Sequence, residues 1–163
     1  MSEIDSLVQD FLSQKKIAVV GISDKRETGC NLAYHKFKEA GYAVTAVNPH
    51  LTSFEGAPCY PDLNSIPEKP DAVFILANPQ VSEQIVRQCV DLGVHHVWMH
   101  CLMGTKPGVG AQMTSVSQEA VRICRDKGIK VIPGGCPNQF LKPDFGHGMM
   151  RVMNHAFGLY KIS

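Results

Sequence analysis

Lys16-Ile17-Ala18-Val19-Val20-Gly21-Ile22-Ser23-Asp24-Lys25-Arg26-Glu27-Thr28-Gly29 is the stretch that decides the fold. Ile17 to Gly21 is an unbroken small or apolar run, the pattern of a strand covered on both faces of a parallel sheet. Gly21 ends it. A polar turn follows, with hydroxyls at Ser23 and Thr28, cations at Lys25 and Arg26, and a second glycine at Gly29. Beyond the turn the spacing predicts a helix with Leu32, Ala33, Phe37 and Ala40 on one face. A buried strand opening through glycine into a polar turn and a helix directs backbone N–H groups at whatever lies above it. That arrangement suits phosphate.

Working outward, Met1 to Gln14 reads as an amphipathic helix with Ile4, Leu7, Val8, Phe11 and Leu12 on one side. Gly41 stops the first crossover helix, and Tyr42 to Val47 reads as a second strand ending at Asn48-Pro49. Leu51 to Pro70 is an excursion rich in Pro, Gly, Ser and Asn, with a short helix expected near Asp62 to Ile66. Asp71 to Leu76 is a third buried strand. Asn78-Pro79 then supplies a cap and a first-turn proline for a helix with Val81, Ile85, Cys89 and Leu92 inward, closed by Gly93. Val94 to His100 and Ile129 to Pro133 are strands four and five. Between them lie the loop Gly104 to Gly110 and a helix with Val116, Ala120 and Ile123 inward. A last helix is expected from about Gly148 to Tyr160, its stripe of Met149, Met150, Met153, Ala156, Phe157 and Tyr160 reading as packing or a dimer contact.

Five alternations of strand and helix imply an α/β fold: a Rossmann-like, doubly wound parallel sheet of about five strands with an extra N-terminal and a C-terminal helix, one domain over 1–163. Ligands of such sheets sit beyond the carboxyl ends of the strands. The edge residues are then Gly21 to Arg26, Asn48 to His50, Leu76 to Pro79, His100 to Met103 and Pro133 to Asn138, and one site could draw on all of them.

A formal net charge of +1, with the charges dispersed, argues against a nucleic-acid face and makes any anion site local. No apolar run approaches the length of a membrane span, and the N-terminus lacks the layout of a signal peptide, so a cytoplasmic protein is expected. The six cysteines are widely spaced with no C-x-x-C pair, neither a disulfide scaffold nor a zinc-ribbon pattern; most read as buried small hydrophobes.

A nicotinamide-dinucleotide site needs G-x-G-x-x-G after the first strand and an acid ending the second. Here Ser23 stands two after Gly21, and the second strand ends in Asn48-Pro49-His50. Lys25 and Arg26 in the turn favour a ligand with more phosphate charge than NAD. The plainer reading keeps Gly21-Ile22-Ser23 as a capped turn and Lys25 and Arg26 as solvated charges. His100, Cys101 and Cys136 could converge as an activated thiol or part of a metal site, although no third ligand or carboxylate partner is evident.

The ordered set Ile17-Ala18-Val19-Val20-Gly21-Ile22-Ser23, Gly41-Tyr42, Val47-Asn48-Pro49, Gly56, Tyr60-Pro61-Asp62-Leu63, Ile66-Pro67, Asp71, Val97-Trp98 and Cys136-Pro137 resembles the small stand-alone CoA-binding domains. Those domains are related to the N-terminal domain of the succinyl-CoA synthetase α subunit. The resemblance implies that CoA or an acyl-CoA is bound without chemistry of the domain's own. It places Gly21, Ile22, Ser23, Lys25 and Arg26 around the phosphates and Asn48, Pro49 and His50 near the adenosine. Leu76, Ala77, Asn78 and Pro79 would lie along the ligand's path, with Cys136 towards its thiol end. His50 stands where many relatives carry Lys or Arg, and Trp98-Met99-His100-Cys101-Leu102-Met103-Gly104 replaces their usual Trp-Leu-Gln-x-Gly. The alternatives are an enzyme using a reactive Cys136 for acyl transfer or thiol exchange, an NAD(P)-linked oxidoreductase, and a regulatory module. A homodimer or an unidentified protein partner fits any of them.

Overall fold

Side chains alternating along each central strand divide the interior into two layers. In the computed structural model, which describes residues 1–105 and 114–162, β1 (Lys16–Val20) sends Ile17 and Val19 to one face and Ala18 and Val20 to the other. β5 (Ala72–Ile75) repeats this with Ala72 and Phe74 against Val73 and Ile75, as does β6 (His96–Met99) with Trp98 against Val97 and Met99. The first face is covered by α1 (Glu3–Leu12) and α2 (Gly29–Glu39), the second by α3 (Pro79–Leu92) and α4 (Gln118–Asp126). Burial on both faces is why these strands read as continuous apolar runs.

β2 (Ala43–Val47), β3 (Ser53–Phe54), β4 (Ala57–Tyr60) and β7 (Lys130–Pro133) complete a seven-stranded sheet of order β3-β4-β2-β1-β5-β6-β7. All pairings are parallel except β3 with β4. The two strands beyond the expected five lie in the excursion after β2. Glu55 and Gly56, both at positive φ, turn β3 back onto β4, and β4 adds to β2 in parallel. Proline and glycine there mark a tight hairpin rather than an irregular loop. The short helix expected near Asp62 is a run of turns, with Asp62 Oδ1 accepting from the Ser65 N–H at 2.8 Å.

From β1 the chain winds outward through β2 and from β5 outward through β6 and β7, so the strand order reverses between β1 and β5. The crevice of an open α/β sheet forms at such a reversal. Gly21 sits at its floor with φ +111°, where a Cβ would lie 2.0 Å from the Leu76 carbonyl oxygen. The N–H groups of Gly21 and Leu76 reach the carbonyls of Val47 and Val20, at 3.1 and 3.0 Å. Only glycine fits this approach.

The last helix, α5 (Phe145–Ala156), begins about a turn earlier than the methionine stripe suggests, because Asp144 caps it by accepting from His147 N at 2.9 Å. Tyr160 lies beyond its end, buried beside Phe140. Met149, Met153 and Phe157 do not pack inward; they are exposed. Leu32 also departs from expectation, being exposed at the start of α2 while Ala33 and Phe37 carry the core contact. Most of the Gly104 to Gly110 loop, Lys106 included, lies outside the described residues. No helix among the described residues is long and apolar enough to cross a membrane.

Candidate functional site

Two cavities flank the start of α2 at the carboxyl edge of the sheet. One, of about 390 Å³, is lined by Ser23, Asp24, Lys25, Arg26, Glu27 and Asn31, with Ser53, Phe54 and Glu55 of the β3–β4 hairpin opposite. The other, of about 560 Å³, lies over the ends of β5, β6 and β7. Gly29, Leu32, Leu76 to Pro79, His100, Leu102, Thr114, Ser115, Cys136, Asn138 and His147 line it.

A single buried side chain builds the first cavity's wall. Asn31 Oδ1 accepts from the Ser23 N–H and the Thr28 hydroxyl, both at 3.1 Å, while its Nδ2 donates to the Ser23 carbonyl at 2.8 Å and the Arg26 carbonyl at 3.4 Å. Thr28 caps α2 by accepting from the Asn31 N–H at 3.2 Å. Asn48 braces the turn from the other side, its Nδ2 donating to the Ile22 carbonyl at 2.6 Å and its Oδ1 accepting from the His50 N–H at 2.7 Å.

Two of the turn's N–H groups are therefore satisfied within the protein, Ser23 by Asn31 and Lys25 by the Ser23 hydroxyl at 3.3 Å. Those of Asp24, Arg26 and Glu27 have no partner among the described residues. The exposed Lys25 and Arg26 likewise have no ion pair there. Glu27 and Glu55 instead approach the His35 ring, at 3.6 and 2.6 Å. The result is a polar, amide-lined concavity at a helix N-terminus, with Lys25 and Arg26 unpaired among the described residues and the Glu27 and Glu55 carboxylates drawn to His35.

The second cavity is apolar with a few fixed polar groups. Ser115 ties its walls together. Its hydroxyl accepts from the Ala77 N–H at 3.0 Å, its N–H donates to the His100 carbonyl at 2.8 Å, and its carbonyl accepts from the Ser82 hydroxyl at 2.5 Å. Asn78 caps α3 by accepting from the Val81 N–H at 3.0 Å. Asn138 is buried, and its Oδ1 has no hydrogen-bond partner among the described residues. Burial, aided by the nearby His147, pulls the His100 imidazole down to about 4, and burial pushes the Cys136 thiol up to about 11. Both are neutral near pH 7, the opposite of the ion pair an activated cysteine uses. No group of His, Cys, Asp or Glu among the described residues could hold a metal ion.

Among the sequence candidates, Ser23, Lys25 and Arg26 come together in the first cavity, and Leu76, Ala77, Asn78, Pro79 and Cys136 in the second. Gly21, Ile22, Asn48, Pro49 and His50 line neither. Gly21 is the crevice floor, Ile22 is buried, Asn48 braces, and Pro49 and His50 are exposed past β2. The sequence reading missed Asn31, Ser115, His147 and the hairpin. Asn31, three residues after the capping Thr28 and three before the buried Tyr34, carried a signal as a polar residue on a helix's inner face.

An open, doubly wound sheet with a glycine turn at the reversal of its strand order defines a Rossmann-like domain. The chain belongs to the CoA-binding domain family, whose pattern it matches over residues 15–139. It is 24% identical to the uncharacterized Bacillus subtilis protein YneT over 135 residues, 83% of this chain and 89% of that one. An ADP-forming acetate–CoA ligase of Archaeoglobus fulgidus is 26% identical over 122 residues, 75% of this chain, and the match spans only 18% of the ligase. Among solved structures, a hypothetical protein from Pyrococcus horikoshii superposes with a TM-score of 0.72 at 25% identity, over 86% of this chain and 93% of that one.

Proposed function

We propose that the chain binds coenzyme A or an acyl-CoA as a ligand-binding module, within a single domain and without catalytic machinery of its own. The observation carrying this reading is the contrast between two cavities on either side of α2, one polar and amide-lined with Lys25 and Arg26 unpaired among the described residues, the other apolar. CoA has the same division, a phosphorylated nucleotide joined to an uncharged pantetheine arm. The phosphates would lie against Lys25, Arg26 and the unpartnered N–H groups of the turn. The arm would pass Leu76 to Pro79, its amide N–H groups available to Asn138 Oδ1 and its thiol or acyl end towards Cys136 and Leu102. Family membership supports the reading, as does the missing acid at the end of β2 that a nicotinamide dinucleotide would need.

Thermal shift tests it. CoA at about 100 times its dissociation constant should stabilise the fold by about 2.7 kcal/mol. Dephospho-CoA should act more weakly, NAD barely, and the double substitution Lys25→Glu/Arg26→Glu should abolish the response to CoA. Equal responses to CoA and NAD, or a response indifferent to the double substitution, would overturn the proposal.

A further inference from the structure

α5 is amphipathic the wrong way round for a helix of an isolated molecule. Its inner side is polar. Asn154, its one buried residue, donates to the Leu102 carbonyl at 3.3 Å and to the Tyr160 hydroxyl at 3.2 Å. Arg151 lies 4.6 Å over the Phe140 ring and 3.3 Å from Asp5. The outer side carries Phe145, Met149, Val152, Met153 and, just past the helix, Phe157, each between 47% and 87% exposed. Buried polar groups with hydrogen bonds are ordinary; a contiguous exposed row of large apolar side chains is not.

The arrangement of that row suits a second copy of the same helix. Phe145, Met149, Met153 and Phe157 recur every four residues and so form one ridge along the helix. Beside it runs a second i, i+4 row of smaller side chains, Gly148, Val152 and Ala156. The ridge is also symmetric about position 151: Phe145 and Phe157 are equidistant from it, as are Met149 and Met153. A second copy placed antiparallel across a two-fold axis therefore sets aromatic against aromatic and methionine against methionine. This self-complementarity is what an isologous interface requires. The charged and titratable residues lie off the ridge, His147 with Asp144, Arg151 with Asp5, and His155 3.9 Å from Asp5. At 47% to 87% exposure these five residues leave on the order of 600 Å² uncovered per copy, so full coverage in a pair would reach the lower bound of about 1,200 Å² for a specific interface.

We propose that α5 is a dimerisation helix, pairing antiparallel with α5 of a second copy through the Phe145–Phe157 ridge. The helix lies beyond the family-matched segment, and the pairing is independent of the ligand reading. Sedimentation velocity at micromolar concentration tests it. The natural sequence should sediment as a dimer, and Met149→Lys and Met153→Glu should each weaken dimerisation at least 100-fold while keeping the far-ultraviolet dichroism unchanged. The double variant Met149→Lys/Met153→Glu should regain the dimer, because the antiparallel register sets each new cation against the partner's new carboxylate. A monomeric natural sequence, or single variants that stay dimeric, would overturn the proposal, and a monomeric double variant would overturn the register. Phe157→Ser, outside the helix, should likewise yield a monomer and replaces any mid-helix variant that loses its fold.

Discussion

The cavities on the two sides of α2 are built by opposite means. The turn from Gly21 to Thr28 is shaped by backbone held from within, one Asn31 amide reaching Ser23, Arg26 and Thr28. The cavity over β5, β6 and β7 is shaped by side chains that arrive from distant segments, and Ser115 links three of them. One is local and polar; the other is assembled and apolar. Perturbing the first should alter what the protein holds by charge, and perturbing the second should alter how its stability depends on pH.

The place where both depend on one atom gives the largest effect. Gly21 separates the turn from the Leu76 strand end, and alanine there would put a Cβ 2.0 Å from a carbonyl oxygen at a φ of +111°. The approach cannot relax without parting β1 from β5. Gly21→Ala should therefore cost about 4 kcal/mol or more, in the range reserved for backbone strain combined with core disruption. Urea unfolding measures it; a loss under about 1 kcal/mol would mean that the ends of β1 and β5 part around the new Cβ without strain.

The second effect belongs to the assembled cavity alone. The His100 imidazole is held near 4 in the folded protein, against an ordinary value of 6.5, chiefly by burial. Above about pH 6.5 it is neutral in both folded and unfolded chains and contributes nothing to the pH dependence. As pH falls towards 4 the unfolded chain takes up the proton first, so stability drops, by up to about 3 kcal/mol at one pKa unit per 1.36 kcal/mol. Asp5 and Asp10, whose carboxyls lie below the usual range, add a background acid loss that a His100 substitution leaves in place. Unfolding curves at pH 7 and pH 4.5 should differ by roughly 2–3 kcal/mol less in His100→Asn than in the natural sequence. Parallel losses in the two proteins would show that His100 does not feel the cavity's burial.

The contrast also explains what is legible in the sequence. β1, its glycine and the polar turn can be read from consecutive residues because their geometry is set within a few positions of the chain. The edge positions Leu76 to Pro79, His100 and Cys136 follow from the winding of the sheet, which fixes where strands end. Ser115 and His147 cannot be read, since their roles arise only when α3, β6 and α5 converge. The β3–β4 hairpin hides in residues that equally describe a loop, and a two-residue strand has no periodicity to detect. The methionine stripe is plain in the sequence, but the direction it faces is not. Periodicity reveals that a helix has two faces and is silent on which one meets the sheet; the inner face of α5 is chosen by the hydrogen bonds of Asn154 and the stacking of Arg151.

Asn31 offers the smallest effect and the sharpest division between the cavities. Asn31→Ala removes an acceptor from the Ser23 N–H and donors from two carbonyls, at a cost of about 2 kcal/mol by the usual penalty for polar groups left unpaired. The loss falls on the exposed stretch from Asp24 to Glu27 rather than on the buried Ile22, so the sheet should survive and the turn should loosen. Calorimetric titration should then show CoA affinity lowered by about tenfold, one hydrogen bond's worth of positioning. Pantetheine, which lacks the phosphates, should bind unchanged. If both ligands weakened equally, the turn would be supporting the apolar cavity as well, and the two regions would be one mechanical unit. If neither changed, the phosphates would have to be held by Lys25 and Arg26 alone, with the turn's backbone contributing no fixed geometry.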